Sequence, residues 1–192
     1  MGRPLRKHPS SSSKKRMFLR KLNAGFSLLT TVLLLSHAIF NAAWMLSRGS
    51  FVKPAIPLPR LMFVVMMLHA ILSIVLAILG HKGAEKRKCN GYANLNRLTY
   101  IQRVSGVSLI LLTVLHILGT VGVLVPPRAV HAILPPLFFT VAMLHTAISG
   151  GKALITLGVG NAKVIHVADI ALKVICGLTL IADVIGFYLY LV

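Results

Sequence analysis

Residues 61–79 read LMFVVMMLHAILSIVLAIL, with no carboxylate, lysine or arginine among them. As a helix this run is about 28 Å long, close to the roughly 30 Å hydrocarbon core of a bilayer. It reads as a transmembrane span from Arg60 to Gly80. Its one ionisable residue is His69, near the middle. An ionisable group at that depth is expensive to hold, which makes it a candidate functional group.

Working outward, four further apolar runs appear. They cover Leu22 to Leu46, Leu98 to Val125, Ala129 to Ser149 and Val164 to Val192. Pro126-Pro127 end the third, and Gly150-Gly151 are expected to terminate the fourth. Pro135-Pro136 are expected to kink or delay the start of the fourth. Residues 1–21 are polar and basic, with Ser10 to Ser13 in their midst, and read as a flexible tail. The first span is too long for a signal-peptide core and lacks a cleavage pattern. The expectation is an all-α membrane protein with a membrane domain over residues 22–192. It has five transmembrane helices, four of them forming a bundle.

Composition agrees with this. Hydrophobic residues make up 56% of the 192, and the only acids are Glu85, Asp169 and Asp183, which no ordinary soluble domain matches. Cys89 and Cys176 have neither disulfide-framework nor CxxC spacing.

The net charge of +18 is unevenly placed. The tail includes Lys14, Lys15, Arg16, Arg20 and Lys21, and the loop after the second span includes Lys82, Lys86, Arg87, Lys88 and Arg97. The alternate loops carry only Arg48, Lys53, Arg60 and Arg128. The positive-inside rule then puts the N-terminus in the cytoplasm and the end of the fifth span outside the cell membrane. Nucleic acid is a poor explanation, because the basic residues flank spans instead of forming one folded face. Anionic lipid is a better one, at about 1 kcal/mol per basic residue near the surface. An acidic cytoplasmic partner suits the same surface.

His69 has three counterparts. His37, His116 and His145 lie one each in the first, third and fourth spans. Counting 1.5 Å per residue from the nearest basic residues puts His37 roughly 24 Å from the inner face and His116 roughly 20–28 Å. His69 comes out at roughly 18 Å and His145 at roughly 10 Å. The level pairing is therefore His37 with His116 towards the outside, and His69 with His145 towards the inside. The inner pair keeps a mismatch of roughly 8 Å for helix tilt to absorb.

Two pairs of neutral imidazoles in a helix bundle suit two b haems with bis-histidine ligation. Ser105-Gly106 supply small residues where an inner plate passes. Gln102, Arg103 and Lys152 are inner donors for propionates, with Arg48, Arg60 and Arg128 as outer ones. No carboxylate or thiolate stands beside either pair, which disfavours another metal. His8, His81, His131 and His166 sit in the tail or at helix ends and are read as ordinary. The residues alone leave open a small transporter or structural protein, with the histidines in a polar path or bonding helices together.

The segment Asn96-Arg97-Leu98-Thr99-Tyr100-Ile101-Gln102-Arg103-Val104-Ser105-Gly106, followed by His116, narrows this. It resembles the "LQR-(V/T)-(T/S)-G … H" third helix of the single-chain, di-haem cytochrome b anchors of succinate dehydrogenases and fumarate reductases. Phe18-Leu19-Arg20-Lys21-Leu22 ahead of His37 is similar to that family's first helix. Leu68-His69-Ala70, and Met143-Leu144-His145 with Gly150 beyond, resemble its second and fourth ligand helices. The resemblance covers nearly the whole chain from residue 18.

It implies the same haem pairing, with His69 and His145 nearer the catalytic subunits. It also implies a membrane anchor on which cytoplasmic flavoprotein and iron–sulfur subunits dock. Electrons would pass between the iron–sulfur subunit, two b haems and a membrane quinone, with menaquinone expected. The chain departs from relatives that couple protons through acids near the outer quinone site and beside the inner ligand. Its outer loop between spans one and two has no acid, and Met143 stands two before His145. Asp183, in the outer half of the fifth span, is the one candidate proton group for a quinone site. A related flavoprotein reductase with another substrate, or a di-haem cytochrome without a dehydrogenase, is the alternative.

The charge asymmetry gives a topology prediction. An alkaline phosphatase fused after Val192 is expected to be active in intact cells, and one fused in the loop after Gly80 inactive. Activities in the reverse order would refute the orientation.

Overall fold

The computed structural model describes residues 11–50, 57–84, 93–123 and 127–191. They form five helices: α1 (Ser11–Leu46), α2 (Pro57–Ala84), α3 (Ala93–Thr120), α4 (Arg128–Leu157) and α5 (Ala162–Leu191). Each is long and apolar enough to cross a membrane. Large apolar side chains cover the outside, among them Val32, Val107, Val167 and Leu178, each more than 60% exposed. A surface of that kind suits lipid and not water. The chain is a multi-pass, all-helical membrane protein.

The helix ends differ from the expected ones in three places. First, α1 begins at Ser11, so residues 11–21 continue the first span as helix instead of belonging to a flexible tail. A membrane helix is already nucleated, and Lys, Arg, Met and Leu extend it at little cost. Residues 1–10 lie outside the described part. Second, α3 stops at Thr120, short of Val125, and Gly122 turns the chain at φ 75°. Third, α4 does not end at Gly150-Gly151. It runs on to Leu157 and stops at Gly158, whose left-handed φ of 99° forms the C-cap.

The two glycines are packing positions instead of breaks. Leu172 of α5 lies where a Gly150 side chain would begin, and the Asp169 carboxylate lies 2.8 Å from the corresponding point at Gly151. Helix association in lipid relies on such small residues, because apolar side chains gain little by leaving apolar lipid. The same explanation covers small residues buried on three helices. α1 contributes Ala24, Ala38 and Ala42; α4 contributes Ala142, Gly150 and Ala153; α5 contributes Cys176 and Gly186.

These three helices pack on one another pairwise. α2 packs closely on α1, and α3 on α4. Between α2 and α3 the described link is a long contact from the Thr113 hydroxyl to the Met66 sulfur, 4.0 Å. The helices α1, α2, α3 and α4 thus form a ring with one loosely closed side. α5 braces the opposite side, in the groove between α1 and α4.

Pro135 and Pro136 stand inside α4. Pro136 has no N–H to offer the carbonyl four residues back, which belongs to Ala132. The Tyr188 hydroxyl of α5 donates to that carbonyl at 3.3 Å. A helix-breaking residue is tolerated here because a neighbouring helix satisfies the freed acceptor.

A β-carbon added at Gly186 would lie 3.2 Å from the Met45 β-carbon and 3.5 Å from the Ala42 carbonyl. Gly186→Val is expected to push α5 off α1 and destabilise the protein by about 1–3 kcal/mol. Denaturant titration in detergent micelles measures this. An unchanged midpoint would mean that the α1–α5 contact is not close.

Candidate functional site

The four intramembrane histidines occupy the four ring helices, one on each. His69 of α2 and His145 of α4 lie across one diagonal; His37 of α1 and His116 of α3 lie across the other. The diagonals are at different levels. His145 meets Ser105 on α3, and His116 stands eleven residues further along that helix, about 16 Å away. On α1, Asn23 meets His69, and His37 stands fourteen residues further, about 21 Å away. The level with His69 and His145 is the one nearer the basic end, where Lys14 to Lys21 lie.

The rings at this basic-end level are set by hydrogen bonds that fix their tautomers. The Nδ1 of His69 lies 3.3 Å from the backbone carbonyl of Asn23. A carbonyl only accepts, so Nδ1 carries the proton and Nε2 keeps its lone pair. The Ser105 hydroxyl donates to the Gln102 carbonyl at 3.1 Å and lies 2.9 Å from the Nδ1 of His145. With its proton committed to Gln102, the hydroxyl accepts from His145 Nδ1–H. His145 then also presents a bare Nε2. Both rings are half-buried and within electrostatic reach of each other.

Gly106 makes room for this. A β-carbon there would sit 3.1 Å from Cε1 of His145. Asn23 is itself held, because its amide exchanges hydrogen bonds with the Ser73 hydroxyl at 3.2 and 3.3 Å. The register through Met66 and Thr113 leaves His69 about 7 Å further from the basic end than His145.

The far level is arranged differently. The Asn41 amide, one turn along α1, meets Nε2 of His37 at 2.9 Å. An amide N–H₂ only donates, so the His37 lone pair on that nitrogen is already occupied. His116 stacks on Phe138 of α4, with centroids 5.1 Å apart and planes 11° from parallel. The two rings thus make separate contacts on their own sides of the ring.

The remaining site residues separate as follows. Lys152 donates to the Gln102 side chain at 2.7 Å, bridging α4 to α3 beside the basic-end pair. Ser105 is buried and Gly106 half-buried against His145, while Arg103 is exposed on α3. Asp183 does not reach a lipid-accessible surface. It is 0% exposed, enclosed where α5 meets α1 and α4. Among the described residues, no group of three or more His, Cys, Asp or Glu gathers around a common point. The side chains of Arg128, His81 and His131 lie outside the described part.

Asn23, Asn41, Ser73 and Phe138 are the residues that sequence reasoning missed. A signal was present for two of them. Asn41 and Ser73 each follow a histidine by four positions, one helical turn, as Ser149 follows His145. Compared with known protein families, curated proteins and solved structures, the chain matches none.

The tautomers are directly measurable. Nitrogen NMR of ¹⁵N-histidine-labelled protein in vesicles is expected to show the proton on Nδ1 for His69 and His145. Ser105→Ala should move the His145 resonances and leave those of His69 in place. A proton on Nε2 of either ring would contradict the hydrogen-bond assignment.

Proposed function

We propose that the protein is a haem-carrying membrane anchor that passes electrons between a cytoplasmic redox partner and a membrane quinone. The observation that carries this reading is the basic-end diagonal. Two histidines on opposite helices each commit Nδ1 to a protein acceptor and keep Nε2 bare. Histidines that hold a metal are oriented in this way, by a hydrogen bond from the other ring nitrogen. Two nitrogens without further protein ligands would suit the iron of a haem, which brings its other ligands with it.

The residues fit a haem at the basic-end level. His69 and His145 would hold its iron, Gly106 leaves space beside the His145 ring, and Lys152 and Gln102 would meet its propionates. Bound there, a haem supplies reversible one-electron transfer. The chain's own residues hold the ring tautomers, keep water from the ligands with apolar helix faces, and offer positive charge to carboxylates at the basic end. Ligation by His37 and His116 at the far level requires that Asn41 release the His37 ring and that His116 leave Phe138. A second haem is therefore the more demanding part of the proposal.

The exposed basic residues Lys14, Lys15, Arg16, Arg20 and Lys21 suit anionic lipid or an acidic partner on the same face. By resemblance, that partner is an iron–sulfur and flavoprotein pair of the succinate dehydrogenase or fumarate reductase type. The quinone is menaquinone on the same ground. A di-haem cytochrome serving another reductase shares this geometry. The two are separated by what co-purifies.

A dithionite-reduced minus oxidised spectrum of protein expressed with ample haem is expected to show a b-type signal. His69→Ala and His145→Ala should each remove the same haem. His37→Ala should leave that haem bound and abolish any second one. Absence of a b-type signal would rule the proposal out.

A further inference from the structure

Of the five spans, α2 is the one least held by apolar packing. Its apolar window is 6% buried, against 17–28% in the other four. Lipid gives its leucines and isoleucines little reason to leave. Toward α3 its described link is the long contact between Met66 and Thr113. The height and roll of α2 are therefore set from α1, and polar atoms set them.

Asn23 supplies these atoms at two points. Its amide exchanges hydrogen bonds with the Ser73 hydroxyl at 3.2 and 3.3 Å, and its backbone carbonyl lies 3.3 Å from Nδ1 of His69. Ser73 follows His69 by one helical turn, so both side chains stand on one face of α2. One residue of α1 thus holds two residues of α2. As a helix carbonyl, the Asn23 oxygen also serves the N–H four residues on, and His69 takes its second lone pair. Every turn of α1 repeats such carbonyls. What distinguishes Asn23 is a side chain that reaches a hydroxyl on the histidine's own helix. Slipping α2 by one residue moves it about 1.5 Å and turns it about 100°, which parts both contacts at once.

We propose that Asn23 and Ser73 are positioning residues for His69. Their amide–hydroxyl pair sets the register of α2 on α1, and so holds the His69 ring with its proton on Nδ1 and its Nε2 bare. The consequence for a bound haem rests on the function proposed above; the consequence for the ring does not.

The ring is read first in haem-free protein. Nitrogen NMR of ¹⁵N-histidine-labelled protein in vesicles is expected to show the His69 resonances displaced in Ser73→Ala and in Asn23→Ala, with those of His145 in place. Asn23→Ala keeps the backbone carbonyl, so a displacement there belongs to the side chain. The two substitutions remove one contact, so the double variant should do no more than either alone. Ser73→Thr keeps the hydroxyl and should retain the native resonances. A pair that only joined helices would lower stability and leave the His69 ring as it was. In protein loaded with haem, each alanine variant should bind the basic-end haem about 10- to 100-fold more weakly.

Unchanged His69 resonances in Ser73→Ala would overturn the proposal, and so would additive displacements in the double variant. If the variants fail to fold, the unaltered protein serves, labelled with ¹³C at asparagine carbonyls and ¹⁵N at histidine. A dipolar coupling between the Asn23 carbonyl and His69 Nδ1 is expected, and its absence would count decisively against the arrangement. Failure of the haem reading looks different: the unaltered protein shows no haem signal, while the NMR result stands.

Discussion

The close approach of α1, α4 and α5 is the constraint on which the rest depends. Lipid gives little reason for apolar helices to associate, so the contact relies on short side chains that bring backbones together. Ala38, Ala42, Ala142, Gly150 and Gly186 provide it. Once α1 and α4 are fixed side by side, α2 has its place on one and α3 on the other. The histidines then fall on diagonals instead of on neighbouring helices. α5 carries none of the four, yet it braces the two helices that position the others.

Much of this was legible in the sequence, and the limits are physical. Span number followed from apolar length, since nothing else explains a run such as 61–79. The two-level ordering of the histidines followed from helix rise and the basic residues at one end. Gly150-Gly151 misled, because a glycine pair looks the same whether it ends a helix or admits a neighbour. Only the positions of Leu172 and Asp169 distinguish the two. The tail misled for a related reason. Its composition suits disorder in isolation, but it is continuous with a helix the membrane stabilises.

At the candidate site, one-dimensional reasoning found the rings but not their states. That His145 presents Nε2 depends on Ser105 having already given its proton to Gln102. That His37 is engaged depends on an amide one turn away. Both are matters of which polar atom is nearest, and residue identity does not determine this. Asp183 shows the same limit. Its position in the outer half of the fifth span suggested access to a lipid-soluble molecule. In the structure it is fully buried, which position along a helix does not determine.

The unbroken course of α1 has a mechanical side. From Ser11 to Leu46 the helix has neither proline nor glycine turn to act as a joint, and Gly25 lies within regular helix. Such a rod transmits displacement along its length. The cations at Lys14 to Lys21 and the Asn23 carbonyl that orients His69 are therefore parts of one lever. Lys21 stands two residues before Asn23, so a shift of this helix end would carry with it the carbonyl that His69 meets. The basic surface is thus also a handle on the ring.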